Sequence, residues 1–389
     1  MKSIKRYMRV TDIWYLILCI ICTSISVAVL FSMCDLSILS AEVFPGWGAI
    51  FNDFRLVIVQ AGVSLVGIVL AVVLSKMDYR TLVNFWPIHM TLTWGLVALT
   101  FIRNGTFGYN PSNTTNYSWI KLPMGMTLQP TELAKISFIM TFAMHLDNVH
   151  NHVNEPATLV KLIAHMAVPA LIVHFQGDDG TAIVFFAIGC LMLFAGGLSF
   201  KYIVAAVSVI GVTIPILMIT GKLKPYQLER VLALFDQDNP IYANILYQQN
   251  AGRVAIGAGQ ISGRGLFGGQ HYTVPLSQND FIFSYIAESF GFLGAIAVVG
   301  LLFAIAIKTL TTALRAQDRI GSYICIGVFA TLAWQIIINL GMNLTLLPVI
   351  GVTLPFFSAG GTSSLMLYLC VGLVLSVYIH NKKSLFDAE

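Results

Sequence analysis

One aspartate stands where general-base chemistry is easiest to arrange. Asp280 lies between a long polar interval, residues 222–280, and an apolar run that begins at Phe281. A carboxylate at such a boundary meets polar partners yet is partly desolvated, and desolvation raises its pKa toward the range of a working base. The same position suits helix N-capping, which needs only a side-chain oxygen. Residue type alone does not separate the two roles. The interval ahead of it carries Lys222, Lys224, Arg230, Arg253 and Arg264, candidates to meet an anionic group such as a lipid phosphate. It also holds the pairs Tyr226-Gln227 and Tyr247-Gln248 and a glycine-dense run at 257–269. Glycine lets backbone approach a ligand closely. A long connector in a compact protein is either functional or disordered, and the Tyr, Phe, Ile and Leu spread through this one argue against disorder.

Three other stretches carry polar groups. In Gln129-Pro-Thr-Glu-Leu-Ala-Lys135, Thr131 reads as an N-cap with Glu132 in the first turn. Lys135 falls one turn into an apolar run, three residues after Glu132 and on the same face. Ionisable residues inside spans usually face the bundle and pair, so Glu132 and Lys135 form either a structural ion pair or a substrate contact. Gln176-Gly-Asp-Asp-Gly-Thr181 reads as a turn that leaves Asp178 and Asp179 at the surface. The stretch 339–364, with Pro348, Pro355 and clustered glycines, is apolar but broken. Irregular backbone at membrane depth is tolerated only where protein or a wet cavity surrounds it.

The elements that must position these groups are membrane helices. The chain is 57% hydrophobic and 10% charged, with mean hydropathy +0.80, against about 25% charged in soluble domains. About twenty apolar residues make a span, and that ruler gives about ten runs, near 12–33, 54–75, 81–102, 131–148, 159–175, 181–196, 200–220, 281–308, 320–340 and 361–380. The runs are continuous rather than alternating, so helices are expected and a barrel is not. The expected architecture is therefore an all-α polytopic membrane protein. It forms one domain over 1–389, with a large outer loop at 221–280 between the seventh and eighth spans. Lys2, Lys5, Arg6, Arg9, Lys76, Arg80, Lys308, Arg315, Arg319, Lys382 and Lys383 fall on one side of this topology. The positive-inside rule then puts both termini in the cytoplasm and the 222–280 loop outside. Cys19-Ile-Ile-Cys22 has redox spacing but sits mid-span and reads as packing. His89, His145, His165 and His174 are scattered and read as packed histidines rather than metal ligands. The net charge of +4 follows topology and implies no nucleic-acid binding.

Taken together, these stretches resemble the RodA/FtsW/SpoVE (SEDS) family of bacterial cell-wall polymerases over nearly the whole chain. The resemblance is carried by four motifs in order. They are Trp119…Gln129-Pro-Thr-Glu132-x-x-Lys135; Gln176-x-Asp178-x-Gly-Thr181; the loop with Tyr247-Gln248 and its glycine run, ending in Asp280-Phe-Ile-Phe; and Asn339…Leu347-Pro…Leu354-Pro-Phe-Phe-Ser358-x-Gly-Gly361. The 255–259 run looks more like the RodA branch. Four departures from the family pattern stand out: Gly177 for a proline, Asp179 for an apolar residue, Leu276 for a glutamate after Pro275, and Ser289 for a second glutamate.

The resemblance implies a peptidoglycan glycosyltransferase of the bacterial cytoplasmic membrane. Such an enzyme polymerises lipid II, the lipid-linked disaccharide-pentapeptide, on the outer face and releases the lipid pyrophosphate. It implies Asp280 as the catalytic base. It implies Trp119, Glu132, Lys135, Asp178, Arg230, Gln248, Arg253, Arg264 and Ser358 as substrate contacts, with the three arginines and Lys135 facing the pyrophosphate. It implies no organic cofactor, with a divalent cation left open, and a partner in a class B penicillin-binding protein. Two other readings stay open: a transporter that flips the same lipid, and a non-catalytic scaffold for other wall enzymes. The sparse polar groups in the spans weigh against the first, and the Asp280 loop against the second.

Overall fold

The computed structural model describes residues 7–34, 47–110, 116–123, 126–205, 208, 211 and 225–386. Among them the helices run α1 Ile13–Ser32, α2 Trp47–Lys76, α3 Tyr79–Asn84, α4 Trp86–Leu99, α5 Pro130–Asn148, α6 Pro156–Phe175 and α7 Asp179–Ala195. They continue with α8 Pro225–Phe235, α9 Ala243–Ala258, α10 Ile282–Leu314, α11 Arg319–Asn343 and α12 Gly361–Phe386. Six of the described helices are long and apolar enough to cross a membrane, and the stretches Trp86–Ile102 and Asp179–Ala195 are shorter apolar helices. Most of the run at 200–220, and Lys222 and Lys224, lie outside the described residues.

The helices bury one another through small residues. A side chain at Gly372 on α12 would meet the Ala71 backbone of α2, and one at Gly67 on α2 would meet Tyr368. Close backbone approach of this kind is how helices associate in lipid, where burial of apolar surface gives no drive. Charge gathers at one end of the bundle. There Lys308 Nζ pairs with Asp12 at 2.6 Å, Arg80 with Asp318 at 2.7 Å and Arg319 with Asp147 at 2.9 Å. Asp318 also caps α11 through Gly321 N at 2.7 Å.

The structure departs from the expected pattern in three places. The run at 81–102 is two helices, parted at Phe85, because Pro87 in the first turn of α4 cannot donate back to α3. The segment after α4 forms a small antiparallel sheet, β1 Phe107–Tyr109, β2 Trp119–Lys121 and β3 Thr127–Leu128, in the order β1-β2-β3. It is tied to the bundle by Tyr117 N donating to the Gln176 carbonyl at 2.9 Å. The cap of α5 is Gln129, with Pro130 in the first turn, so Thr131 lies inside the helix rather than capping it.

The polar interval is not one loop. It contains α8 and α9, and its glycine run packs against a helix. α10 breaks at Gly291 (φ 68°, ψ −169°), which strands backbone groups on both sides. The glycine run takes them up. Arg264 N donates to the Glu288 carbonyl at 2.9 Å and Gly265 N to Ser289 at 2.8 Å, while Phe292 N reaches the Gln260 carbonyl at 2.8 Å. A Cβ at Gly263 or Gly259 would collide with the carbonyls of Ser289 and Ala287. Glycine is needed here because two backbones touch.

Candidate active site

At the sheet end of the bundle a cavity of about 530 Å³ opens between α2, α5, α7, α11, the sheet and the irregular segment before α12. Two of the sequence motifs interlock to make its wall. Gln129 leaves its own helix uncapped and donates from Nε2 to Asp178 Oδ2 at 2.7 Å. Asp178 caps α7 with the other oxygen, accepting from Thr181 N at 3.0 Å. Its carboxyl is raised above the usual range by burial, and the neighbouring Glu132 adds to that while Lys135 opposes it. Glu132 and Lys135, one turn apart on α5, form an ion pair at 2.8 Å, both side chains being less than a tenth exposed. Glu132 Oε2 is buried with no hydrogen-bond partner among the described residues.

Asp280 is presented by a turn built from the other two motifs. Leu276 sits at φ 57°, a left-handed conformation that is uncommon for a side chain of this kind. Its carbonyl accepts from Asn279 N at 2.9 Å and Phe281 N at 3.3 Å. From α11, Asn339 Nδ2 and Asn343 Nδ2 donate to the Asp280 carbonyl at 2.8 and 3.0 Å. Ser358 Oγ donates to the Asn279 carbonyl at 2.6 Å and accepts from Leu354 N at 2.8 Å. The backbone of Asp280 is thus fixed while its carboxylate takes no hydrogen bond from the described residues. The cap of α10 is Phe281, with no side-chain bond, so Asp280 does not cap that helix. Burial, reinforced by the charge of Asp178, pushes its pKa up to about 6. Asp280 nevertheless lines the cavity and is partly accessible from it.

Trp119, Glu132, Lys135, Asp178 and Asp280 therefore share one cavity. The loop arginines do not join them. Arg230 Nη1 donates to the Val349 carbonyl at 2.6 Å and, with Gln248, lines a separate cavity of about 220 Å³. Arg253 bonds Gln237 at 2.6 Å, and Arg264 lies on Glu288 at 3.3 Å. Ser358 holds the turn behind Asp280 instead of facing the cavity. Lys135 faces it with its charge already matched by Glu132. Among the lining residues that motif reading passes over are Arg55 at the start of the α2 span, Gln60 and Gln335. The signal for each was present, since polar groups inside apolar runs mark pathways and sites.

A model of the FtsW/RodA/SpoVE family of cell cycle proteins matches residues 16–383. A probable peptidoglycan glycosyltransferase FtsW of Trichlorobacter lovleyi is 28% identical over 370 residues, 94% of this chain and 92% of that protein. The peptidoglycan glycosyltransferase MrdB of Escherichia coli K12 is 29% identical over 340 residues, covering 86% and 89%. Relatives of both names match equally well, so whole-chain identity favours neither branch. Among solved structures, a chain from a study of how a peptidoglycan synthase complex coordinates polymerisation and crosslinking aligns with TM-score 0.75 at 22% identity, over 95% of this chain and 98% of that one. Thermus thermophilus RodA aligns with TM-score 0.65 at 21% identity, over 95% and 96%. These two likenesses bear on the fold. The family match, spanning both halves of the cavity wall and the helix that follows Asp280, identifies the chain as a member of the FtsW/RodA/SpoVE family.

Proposed function

We propose that this protein is a peptidoglycan glycosyltransferase that polymerises lipid II, with Asp280 as general base. The observation that carries the reading is the state of Asp280: backbone pinned by two asparagines, carboxylate without a hydrogen bond from the described residues, and pKa raised to about 6 at the edge of the cavity. A base works best when its pKa lies near the working pH and nothing else holds its lone pairs. In the proposed step the carboxylate takes the proton of the incoming sugar hydroxyl. That oxygen bonds to the anomeric carbon of the growing strand, and the bond from that carbon to the lipid pyrophosphate breaks. The departing anion is met by positive charge. Arg55, on the cavity wall, is better placed for this than Arg230, Arg253 or Arg264, which are directed elsewhere. The names of the FtsW and MrdB relatives support the reaction class.

The cavity end of the bundle then faces out of the cytoplasmic membrane, and the charged end with Lys308, Arg80 and Arg319 faces the cytoplasm. A class B penicillin-binding protein is the proposed partner, supported by the likeness to a chain from a synthase complex. Purified protein in vesicles with labelled lipid II tests the whole reading. Polymer that Asp280→Asn abolishes is the expected result. Translocation without polymer would instead assign a flippase, and neither would assign a scaffold.

A further inference from the structure

Gln335 is 2% exposed, near the middle of α11, and lines the cavity. Its Oε1 is buried with no hydrogen-bond donor, and among the described residues its amide has no partner. A primary amide left unpaired in a membrane interior is costly, and buried polar groups are nearly always satisfied. Its place on the helix explains what satisfies it. Gln335, Asn339 and Asn343 fall at successive intervals of four on one face of α11. The upper two amides hold the Asp280 carbonyl. The third lies one turn deeper, roughly 6 Å further along the axis, and holds nothing. Glu132 Oε2, on α5 and at the same cavity, is also buried and also lacks a donor among the described residues.

The chemistry of these groups selects the ligand. The orphan acceptor Gln335 Oε1 demands a donor, so a phosphate, which only accepts, does not fit it. The Glu132–Lys135 pair carries no net charge to attract one. An apolar group would leave Oε1 unpaired. A secondary amide offers one N–H and one C=O in a plane, which matches the acceptor and donor of a glutamine side chain. We propose that Gln335 reads the acylamino arm on carbon 2 of the amino sugar whose hydroxyl is held at Asp280, its Oε1 accepting the N–H and its Nε2 donating to the carbonyl. Gln335 is thus a specificity-determining residue. This assignment rests on the polymerase reading above.

The test uses the full-length protein in vesicles and two synthetic lipid-linked disaccharide-pentapeptides, one N-acetylated and one bearing free amines at carbon 2. Equilibrium binding and polymerisation are measured for wild type, Gln335→Leu and Gln335→Met, with folding checked by thermal unfolding. Wild type is expected to bind the acetylated form more tightly. Both variants are expected to weaken that binding about tenfold or more, raise KM with kcat largely kept, and erase the preference. An unpaired buried partner of this kind corresponds to such a factor. If either folded variant binds the acetylated precursor as wild type does, or keeps the same preference, Gln335 meets only water and the proposal falls. If wild type binds with this preference but makes no polymer, the polymerase reading fails while the acylamino contact stands.

Discussion

Asn343 and Asp280 are joined side chain to main chain: Asn343 Nδ2 donates to the Asp280 carbonyl at 3.0 Å, and Asn343 Oδ1 accepts from Ser284 Oγ at 2.7 Å. The aspartate is thereby held from α11 while its own side chain is left for other work.

Asn343→Ala should therefore act on the rate without touching substrate. Leaving a buried carbonyl short of one donor corresponds to about 1–3 kcal/mol, so a fall in kcat of roughly tenfold with KM little changed is expected. Steady-state polymerisation kinetics decide this; a rise in KM alone would mean that Asn343 contacts the ligand.

The pH profile follows from the raised pKa. A base works only when ionised, so the rate should climb through pH about 6 and level off above it. Below that midpoint it should drop about tenfold per pH unit. Burial raises this pKa first and the charge of Asp178 adds to it. Asp178→Asn removes the second cause, so the midpoint should move to lower pH. A midpoint that stays put or moves up would show that Asp178 does not act on Asp280 through its charge.

The buried pair Glu132–Lys135 gives a stability prediction. Removing one partner leaves a buried charge uncompensated, which costs about 3–5 kcal/mol. Lys135→Met should lower the unfolding temperature in detergent more than the double variant Glu132→Gln/Lys135→Met does. Equal destabilisation by the two would mean that the pair is not coupled in the folded protein.

The cations can be sorted by the cavity they line. Arg55→Ala should reduce turnover about ten- to hundredfold, the worth of a charge-assisted bond of about 1.5–3 kcal/mol. Arg253→Ala, whose partner is Gln237, should leave polymerisation near wild type. The reverse order would move the anion site to the α8–α9 region.

Much of this site was legible as types and spacings. The ion pair at 132 and 135 follows from helical periodicity, and Asp178 and Asp280 stand at the ends of apolar runs, where a carboxylate can line a cavity. What spacing does not encode is direction. Arg230, Arg253 and Arg264 lie on or between α8, α9 and the kink of α10, and those elements turn them toward Val349, Gln237 and Glu288. The glycine run shows its freedom in sequence but not that its partner is the broken helix. The strands at 107–128 are too short for an alternation to register, because a strand of two or three residues contains barely one period.

The first turn of α12 reaches back to two much earlier segments. Gln60 Nε2 donates to Ser364 Oγ at 2.9 Å, Gly360 N to Gln60 Oε1 at 3.2 Å, and Gln129 N to Thr362 Oγ1 at 3.1 Å. During synthesis, α2 and α5 enter the membrane long before their partners on α12 exist. Asp178 and Asp280 are likewise translated before α12, which carries the partners of Gln60 and Gln129. A chain ending before Gly361 would carry both carboxylates but lack the α12 bonds to Gln60 and Gln129. The wall of the cavity is thus closed by the segment of the chain that is made last.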